Sequence, residues 1–165
     1  MIKVTRTEAQ PLLHIRVDDL QGAPIIALLK EHFDAMRSTS PIESCHVLAV
    51  DELKHPDITF WSIWDGDQLA GCGALKRLDD QHAEIKSMRT AREHLRKGVA
   101  SRVLEHIVAE AAKRGYRRLS LETGSQPYFD AARRLYESFG FSECPPFGEY
   151  VPDPNSIFMT KELTG

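Results

Sequence analysis

Apolar and polar residues follow two different periods along this chain. A period of two, or a run rich in β-branched and aromatic residues, predicts a strand, and apolar residues three and four apart predict an amphipathic helix. The clearest helical pattern begins at Val99 and continues through Val103 and Ile107. The patterns predict strands at 14–18, 59–64, 69–75, 83–89, 118–123 and 156–160, and helices at 23–36, 99–114 and 125–139.

Turn and cap residues separate these segments. Gly66, between two aspartates, predicts a tight hairpin turn, because glycine adopts the positive φ that such turns need. Gly115 and Gly140 stand where glycine commonly ends a helix, and Ser125 is the predicted N-cap of the third helix. Residues 42–53 are ambiguous, and a further helix is one interpretation. The predicted apolar face of the first helix holds Ile26, Leu29, Phe33 and Met36.

The order of the elements predicts one α+β domain spanning residues 1–165. Its sheet is mixed and mostly antiparallel in the first half, because three strands follow one another through tight turns. The length suits a single domain that buries its own core. The segment order fits neither a regular alternation of strands and helices nor an all-β protein.

Composition removes several classes of protein. The formal net charge is −3 and no apolar run approaches the roughly 18 residues of a membrane span, so we expect neither nucleic-acid binding nor membrane insertion. The first residues carry no signal-like apolar stretch, and the three cysteines form no CxxC, so a cytoplasmic location without disulfides is expected. The histidines have no metal-binding spacing, and we expect no metal. The oligomeric state stays open between a monomer and a homodimer.

The loop before the second predicted helix is the first candidate site. Residues 96–101 read RKGVAS, so small residues and two cations precede a helix. Free backbone N–H groups and the positive end of the helix dipole bind anions there, phosphate above all. The loop has neither a P-loop nor a dinucleotide-binding pattern. Gly98 shaping an ordinary loop between solvated basic residues is the alternative.

A second motif lies at the end of the third predicted helix. Residues 135–141 read LYESFGF, which places Tyr136 at the edge of an apolar stripe. Together with residues 95–100 (LRKGVA), this motif resembles the GNAT superfamily of acyl-CoA-dependent N-acetyltransferases over roughly 57–141. Residues 84–89, 119–124 and 152–159 are similar to a bacterial subgroup of small, YsnE-like acetyltransferases. The chain departs from the family's usual residues at Leu95, Arg96 and Phe129.

The resemblance implies a fold and a cosubstrate. The expected fold is a GNAT-like mixed, mostly antiparallel sheet of six to seven strands with about four helices. Acetyl-CoA is expected in a cleft between two splayed parallel strands, as an acyl donor and without a metal. The resemblance implies that the backbone of Met88 polarises the thioester carbonyl. The residues implied to hold acetyl-CoA are Ser87, Met88, Arg89, Arg96, Lys97, Gly98, Val99, Ala100 and Ser101.

The resemblance also implies direct acetyl transfer to an amine without an acyl-enzyme. Tyr136 is expected to protonate the leaving thiolate, and Glu84 is the first candidate for the base, with Glu122 and Glu149 as substitutes. An aromatic wall of Trp61, Phe147 and Tyr150 is expected beside the acceptor, and Arg89 or Lys86 would suit an acceptor carboxylate.

The acceptor itself stays open at this point. The first hypothesis is a small amine or amino acid. The alternatives are a protein or peptide N-acetyltransferase and a non-catalytic acyl-CoA-binding regulatory module.

Overall fold

A computed structural model describes residues 12–39 and 50–163. In these residues one seven-stranded sheet carries helices on both faces. The three α-helices of this part are α1 (Ala23–Thr39), α2 (Val99–Lys113) and α3 (Asp130–Ser138). The strands are β1 (Leu13–Val17), β2 (Ile58–Asp65), β3 (Gln68–Arg77), β4 (His82–Thr90), β5 (Arg118–Gly124), β6 (Ser142–Cys144) and β7 (Ser156–Glu162).

The sheet has the order β1-β2-β3-β4-β5-β7-β6. The first four strands form an antiparallel meander, and Gly66 has a φ of 63° in the hairpin between β2 and β3. β4 and β5 pair in parallel, because α2 carries the chain back across one face between them. β7 then pairs antiparallel with β5 and with β6.

Two apolar clusters fill the two faces of the sheet. Val103 and Ile107 of α2 pack over β2, β3, β4 and β5, together with residues of α3. Ile25 and Leu29 of α1 pack over the opposite face. At Gly73 a Cβ would lie 2.7 Å from Val103 Cγ1, so the close approach of α2 to β3 depends on the missing side chain.

The fold class and the mixed, mostly antiparallel sheet are confirmed, with six strands and the first two helices within three residues of their predicted ends. The predicted start of the third helix is wrong. Pro127–Phe129 forms a 3-10 turn, α3 begins at Asp130, and Ser125 bonds to the Pro154 carbonyl instead of capping it. The ambiguous segment 42–53 lies mostly outside the described residues, and its end belongs to the 3-10 turn Glu52–Lys54.

Candidate active site

The only parallel pair in the described sheet separates along its length. β4 and β5 are bonded in register from His82 with Arg118 to Ile85 with Leu121. Beyond those positions β4 continues to Thr90 and β5 to Gly124 without pairing with each other. The two diverging ends form the walls of a cleft of about 550 Å³, which α1, α3 and the start of α2 also line.

A β-bulge shapes the β4 wall. Ala74 faces Lys86 and Cys72 faces Arg89, so β4 carries one residue more than β3 between these pairs. Ser87 has a φ of 57° there, and its carbonyl accepts a hydrogen bond from the Cys72 thiol. Because the extra residue of a bulge leaves the ladder, Ser87 and Met88 have no partner in the register of β4 with β3. Ser87 and Met88 both line the cleft.

The bulge also changes which way the following side chain points. Residues opposite each other in an antiparallel pair share a face, and Ala74 and Cys72 both belong to the α1 cluster. Lys86 and Arg89 therefore point to the same side, although they are three residues apart. Glu84 lies opposite Lys76 and also shares this face. One strand thus presents three ionisable side chains to one side of the cleft.

The loop before α2 has the backbone of an anion site. Arg96 and Gly98 have φ values of 64° and 78°, and no side chain caps the N-terminus of α2. The first N–H groups of a helix have no partner within it, so those of α2 face outward at this end. Ala100 lines the cleft, Arg96 and Lys97 are exposed, and the Val99 side chain is buried, which leaves its backbone for any ligand.

Tyr136 lies on the α3 wall of the cleft. Its side chain is 7% exposed, and its ring packs edge to face on Phe141 at 6.0 Å between centroids. Burial raises the pKa of the Tyr136 phenol to about 12. The hydroxyl therefore keeps its proton at neutral pH.

Glu84 is the centre of a buried polar cluster. Its Oε2 accepts hydrogen bonds from the Tyr150 hydroxyl at 2.6 Å and from Lys86 Nζ at 3.2 Å. Lys86 Nζ also donates to the Tyr150 hydroxyl at 2.9 Å. Burial, followed by the negative charge of Glu84, raises the pKa of Tyr150, so this phenol stays protonated. Glu84 and Lys86 line the cleft, and in the described residues Glu84 Oε1 has no hydrogen bond.

The two substitutes for Glu84 lie in different places. Glu122 lines the cleft on β5 and accepts a hydrogen bond from the Ser156 hydroxyl at 2.7 Å. Glu149 is exposed on a loop and is not part of the cleft lining.

The three aromatic residues expected beside the acceptor are not together. Phe147 and Tyr150 pack against each other at 5.2 Å between centroids, and Tyr150 bonds to Glu84, but neither aromatic residue is part of the cleft lining. Trp61 is 3% exposed beneath α2, with its ring 5.1 Å from that of His106, and does not line the cleft. The structure therefore makes Trp61 a core residue, because β2 turns it to the α2 face.

Sequence reasoning missed His32 on α1. His32 is 7% exposed and lines the cleft, and its Nδ1 is buried without a partner in the described residues. The predicted apolar face of this helix is right at Leu29, which is buried, and wrong at Ile26, which is 41% exposed. The buried face consists of positions 25, 28, 29 and 32. This helical spacing places the polar residue His32 in line with three buried apolar residues, which is the signal in the sequence that could have identified it.

No group of three or more potential metal ligands occurs among the described residues, and no helix there is long and apolar enough to cross a membrane.

The chain is similar to known acetyltransferases over most of its length. Residues 25–141 match the Acetyltransferase (GNAT) family. The chain is 61% identical over 151 residues to the uncharacterized N-acetyltransferase YsnE of Bacillus subtilis, covering 92% of this chain and all of that one. It is 36% identical over 151 residues to the IAA acetyltransferase of Azospirillum brasilense, and the match covers 90% of this chain and 95% of that one.

Solved structures share the fold. A protein of Klebsiella pneumoniae assigned as an acyl-CoA N-acyltransferase is 27% identical, with a TM-score of 0.74 over 93% of this chain and 99% of that one. A Bacillus subtilis acetyltransferase in complex with CoA is 19% identical, with a TM-score of 0.67 over 92% of this chain and 99% of that one.

Proposed function

The chain belongs to the GNAT family of acetyltransferases, and from that premise we propose that it transfers an acetyl group from acetyl-CoA to a primary amine of a small molecule. The observation that carries the proposal is the cleft between β4 and β5, with an uncapped helix end at one side and buried ionisable groups at the other. A CoA complex of a protein with the same fold supports acetyl-CoA as the donor.

The donor would lie along the splayed strands. Backbone N–H groups at 97–101 suit the pyrophosphate, and the exposed side chains of Arg96 and Lys97 add positive charge at the same end. The bulge leaves the Met88 backbone N–H to polarise the thioester carbonyl. Preorganised donors of this kind are worth about 3 kcal/mol in enzymes where one has been removed.

Acetyl-CoA supplies an activated acyl group, and the amine nitrogen forms the new C–N bond as the C–S bond breaks. The leaving sulfur needs a proton, and the buried hydroxyl of Tyr136 is protonated at neutral pH. The attacking nitrogen must lose a proton, because an ordinary alkylamine is charged at pH 7. Glu84 Oε1 is the acceptor we assign to it, directly or through water.

Acetyl-CoA binding is tested first by thermal unfolding with and without the donor, using dephospho-CoA and ATP as controls. A ligand at about 100 times its Kd stabilises by roughly 2.7 kcal/mol, which moves the Tm by several degrees. Release of CoA thiol with a panel of amines then measures transfer. The absence of any shift at millimolar acetyl-CoA would contradict the proposal.

Tyr136→Phe separates chemistry from binding. Loss of a general acid lowers kcat by about 100-fold or more, while the Tm shift with acetyl-CoA remains. Tyr116→Phe removes a hydroxyl from a tyrosine that does not line the cleft and serves as the matched control. Equal kcat values in the two variants would remove Tyr136 from the mechanism.

A further inference from the structure

Arg89 spans the mouth of the cleft between α1 and the 3-10 turn before α3. Its Nη2 donates to Glu31 Oε1 at 3.2 Å, and its Nη1 donates to the Tyr128 hydroxyl at 3.3 Å. The side chain is 16% exposed and lines the cleft. Its Nε is fully buried and has no hydrogen-bond partner in the described part of the chain.

His32 is the second group without a partner at this place. It follows Glu31 on α1, and its buried Nδ1 is unpaired among the described residues. Burial and the positive charge of Arg89 lower the pKa of His32 to about 4, so the ring is neutral at physiological pH. A neutral imidazole adds no second positive charge beside the guanidinium of Arg89, whose ion pair in the described residues is with Glu31.

Lys86, the other cation on this face of β4, is already engaged. It is paired with the carboxylate of Glu84 and bonded to Tyr150, with its side chain 9% exposed. A buried polar group without a partner is unfavourable, so a ligand that pairs with it is favoured. Arg89 is therefore the cation with a buried nitrogen, Nε, that has no partner in the described residues, whereas the one nitrogen of Lys86 already has two acceptors in the cluster around Glu84.

We infer that the acceptor of this acetyltransferase carries a carboxylate as well as its amine, and that Arg89 binds the carboxylate with His32 beside it. The Nε and Nη2 edge of an arginine matches the two oxygens of a carboxylate. Glu31, whose carboxylate is 43% exposed, occupies Nη2 and yields to the stronger, two-point contact. The acceptor class is thus an amino acid, and the inference rests on the proposed function.

The test compares each amino acid with its own amide. The acceptors are the proteinogenic amino acids, β-alanine and γ-aminobutyrate, and CoA release gives kcat/KM for acid and amide. We expect at least one acid to exceed its amide by about 30-fold, the value of a charge-assisted contact. Binding of the corresponding N-acetyl amino acid and its amide to the CoA-bound protein gives the same ratio without a reacting amine.

Variants test whether Arg89 causes the ratio of kcat/KM between an amino acid and its amide. Arg89→Gln brings it close to one by weakening the acid alone, and Arg89→Lys gives an intermediate ratio because lysine lacks the planar edge. Lys30→Gln, which removes the same charge from an exposed position on α1, keeps the wild-type ratio. Glu31→Gln raises the affinity for the acid several-fold, because the competing carboxylate is gone.

The possible results separate the two proposals. Stabilisation by acetyl-CoA without any preference for acids, or a ratio unchanged in Arg89→Gln, overturns the carboxylate inference and leaves acetyl transfer standing. Loss of the acetyl-CoA shift in Arg89→Gln also overturns it, because the guanidinium would then serve the donor. A wild-type protein that acetyl-CoA does not stabilise overturns the proposed function itself.

Discussion

The two ends of the cleft are built from different parts of the chain. At the loop before α2, positive φ angles and an uncapped helix end present the backbone, and the nearby side chains of Arg96 and Lys97 are exposed. At the α1 side, buried side chains dominate, with Glu84 and Lys86 paired at 3.2 Å. A site made of backbone depends on conformation, whereas a site made of buried charges depends on each charge keeping its partner.

The largest effect should come from Glu84, since removing one member of a buried ion pair leaves the other uncompensated. Glu84→Gln is expected to lower the free energy of unfolding by about 4 kcal/mol, measured by urea denaturation. The double variant Glu84→Gln, Lys86→Met should recover much of that stability but none of the lost activity. Recovered activity in the double variant would show that Glu84 has a structural role only.

The next effect concerns His32 and pH. An unfolded histidine titrates near 6.5 and folded His32 at about 4, so the unfolded chain binds the proton first as the pH falls. Stability is unaffected above about pH 7 and falls by about 3 kcal/mol toward pH 4, at 1.36 kcal/mol for each unit of pKa difference. Denaturation at pH 7 and pH 4.5 should show a smaller loss in His32→Gln than in the wild type. If the wild type and His32→Gln lost the same stability between pH 7 and pH 4.5, folded His32 would take up its proton as readily as the unfolded residue does.

The smallest effect tests the backbone end. Gly98→Ala places a side chain at a φ of 78°, which costs about 1 kcal/mol and weakens acetyl-CoA binding roughly fivefold as the loop relaxes. Gly66→Ala meets the same backbone cost at a φ of 63° in a hairpin away from the cleft. Both variants should lose similar stability, but only Gly98→Ala should lose affinity in titration calorimetry. Similar affinities would disconnect the loop from the donor.

The contrast also explains what the sequence could predict. Gly98 and the residues around Tyr136 are local signals, so the loop could be expected from its own residues, the helix after it from its period, and the cleft from the family resemblance that the two motifs carry. The strands were predictable because the meander alternates or is rich in β-branched residues. Pro127 suits the first turn of either an α-helix or a 3-10 helix, so the sequence does not separate the 3-10 turn from the helix that follows. As a result α3 starts later than its apolar stripe suggests.

The acceptor end could not be predicted in the same way. The pairing of Tyr150 with Glu84 joins residues 66 positions apart, and no local pattern encodes it. The position of Trp61 was misjudged because its aromatic character does not tell which face of β2 it occupies. His32 contributes to the cleft because α1 packs on the sheet beside it. Tertiary packing decides each of these positions.

The extra residue in β4 has a consequence for how the protein could change its substrates. The same insertion frees the backbone near Met88 and rotates Arg89 to the α1 side. Removing it would restore the ladder and at the same time turn the guanidinium toward the apolar face beneath α2. One deletion would therefore alter both the proposed donor contact at Met88 and the proposed acceptor contact at Arg89. Divergence toward new acceptors has to proceed by replacing side chains around a strand whose length is held fixed.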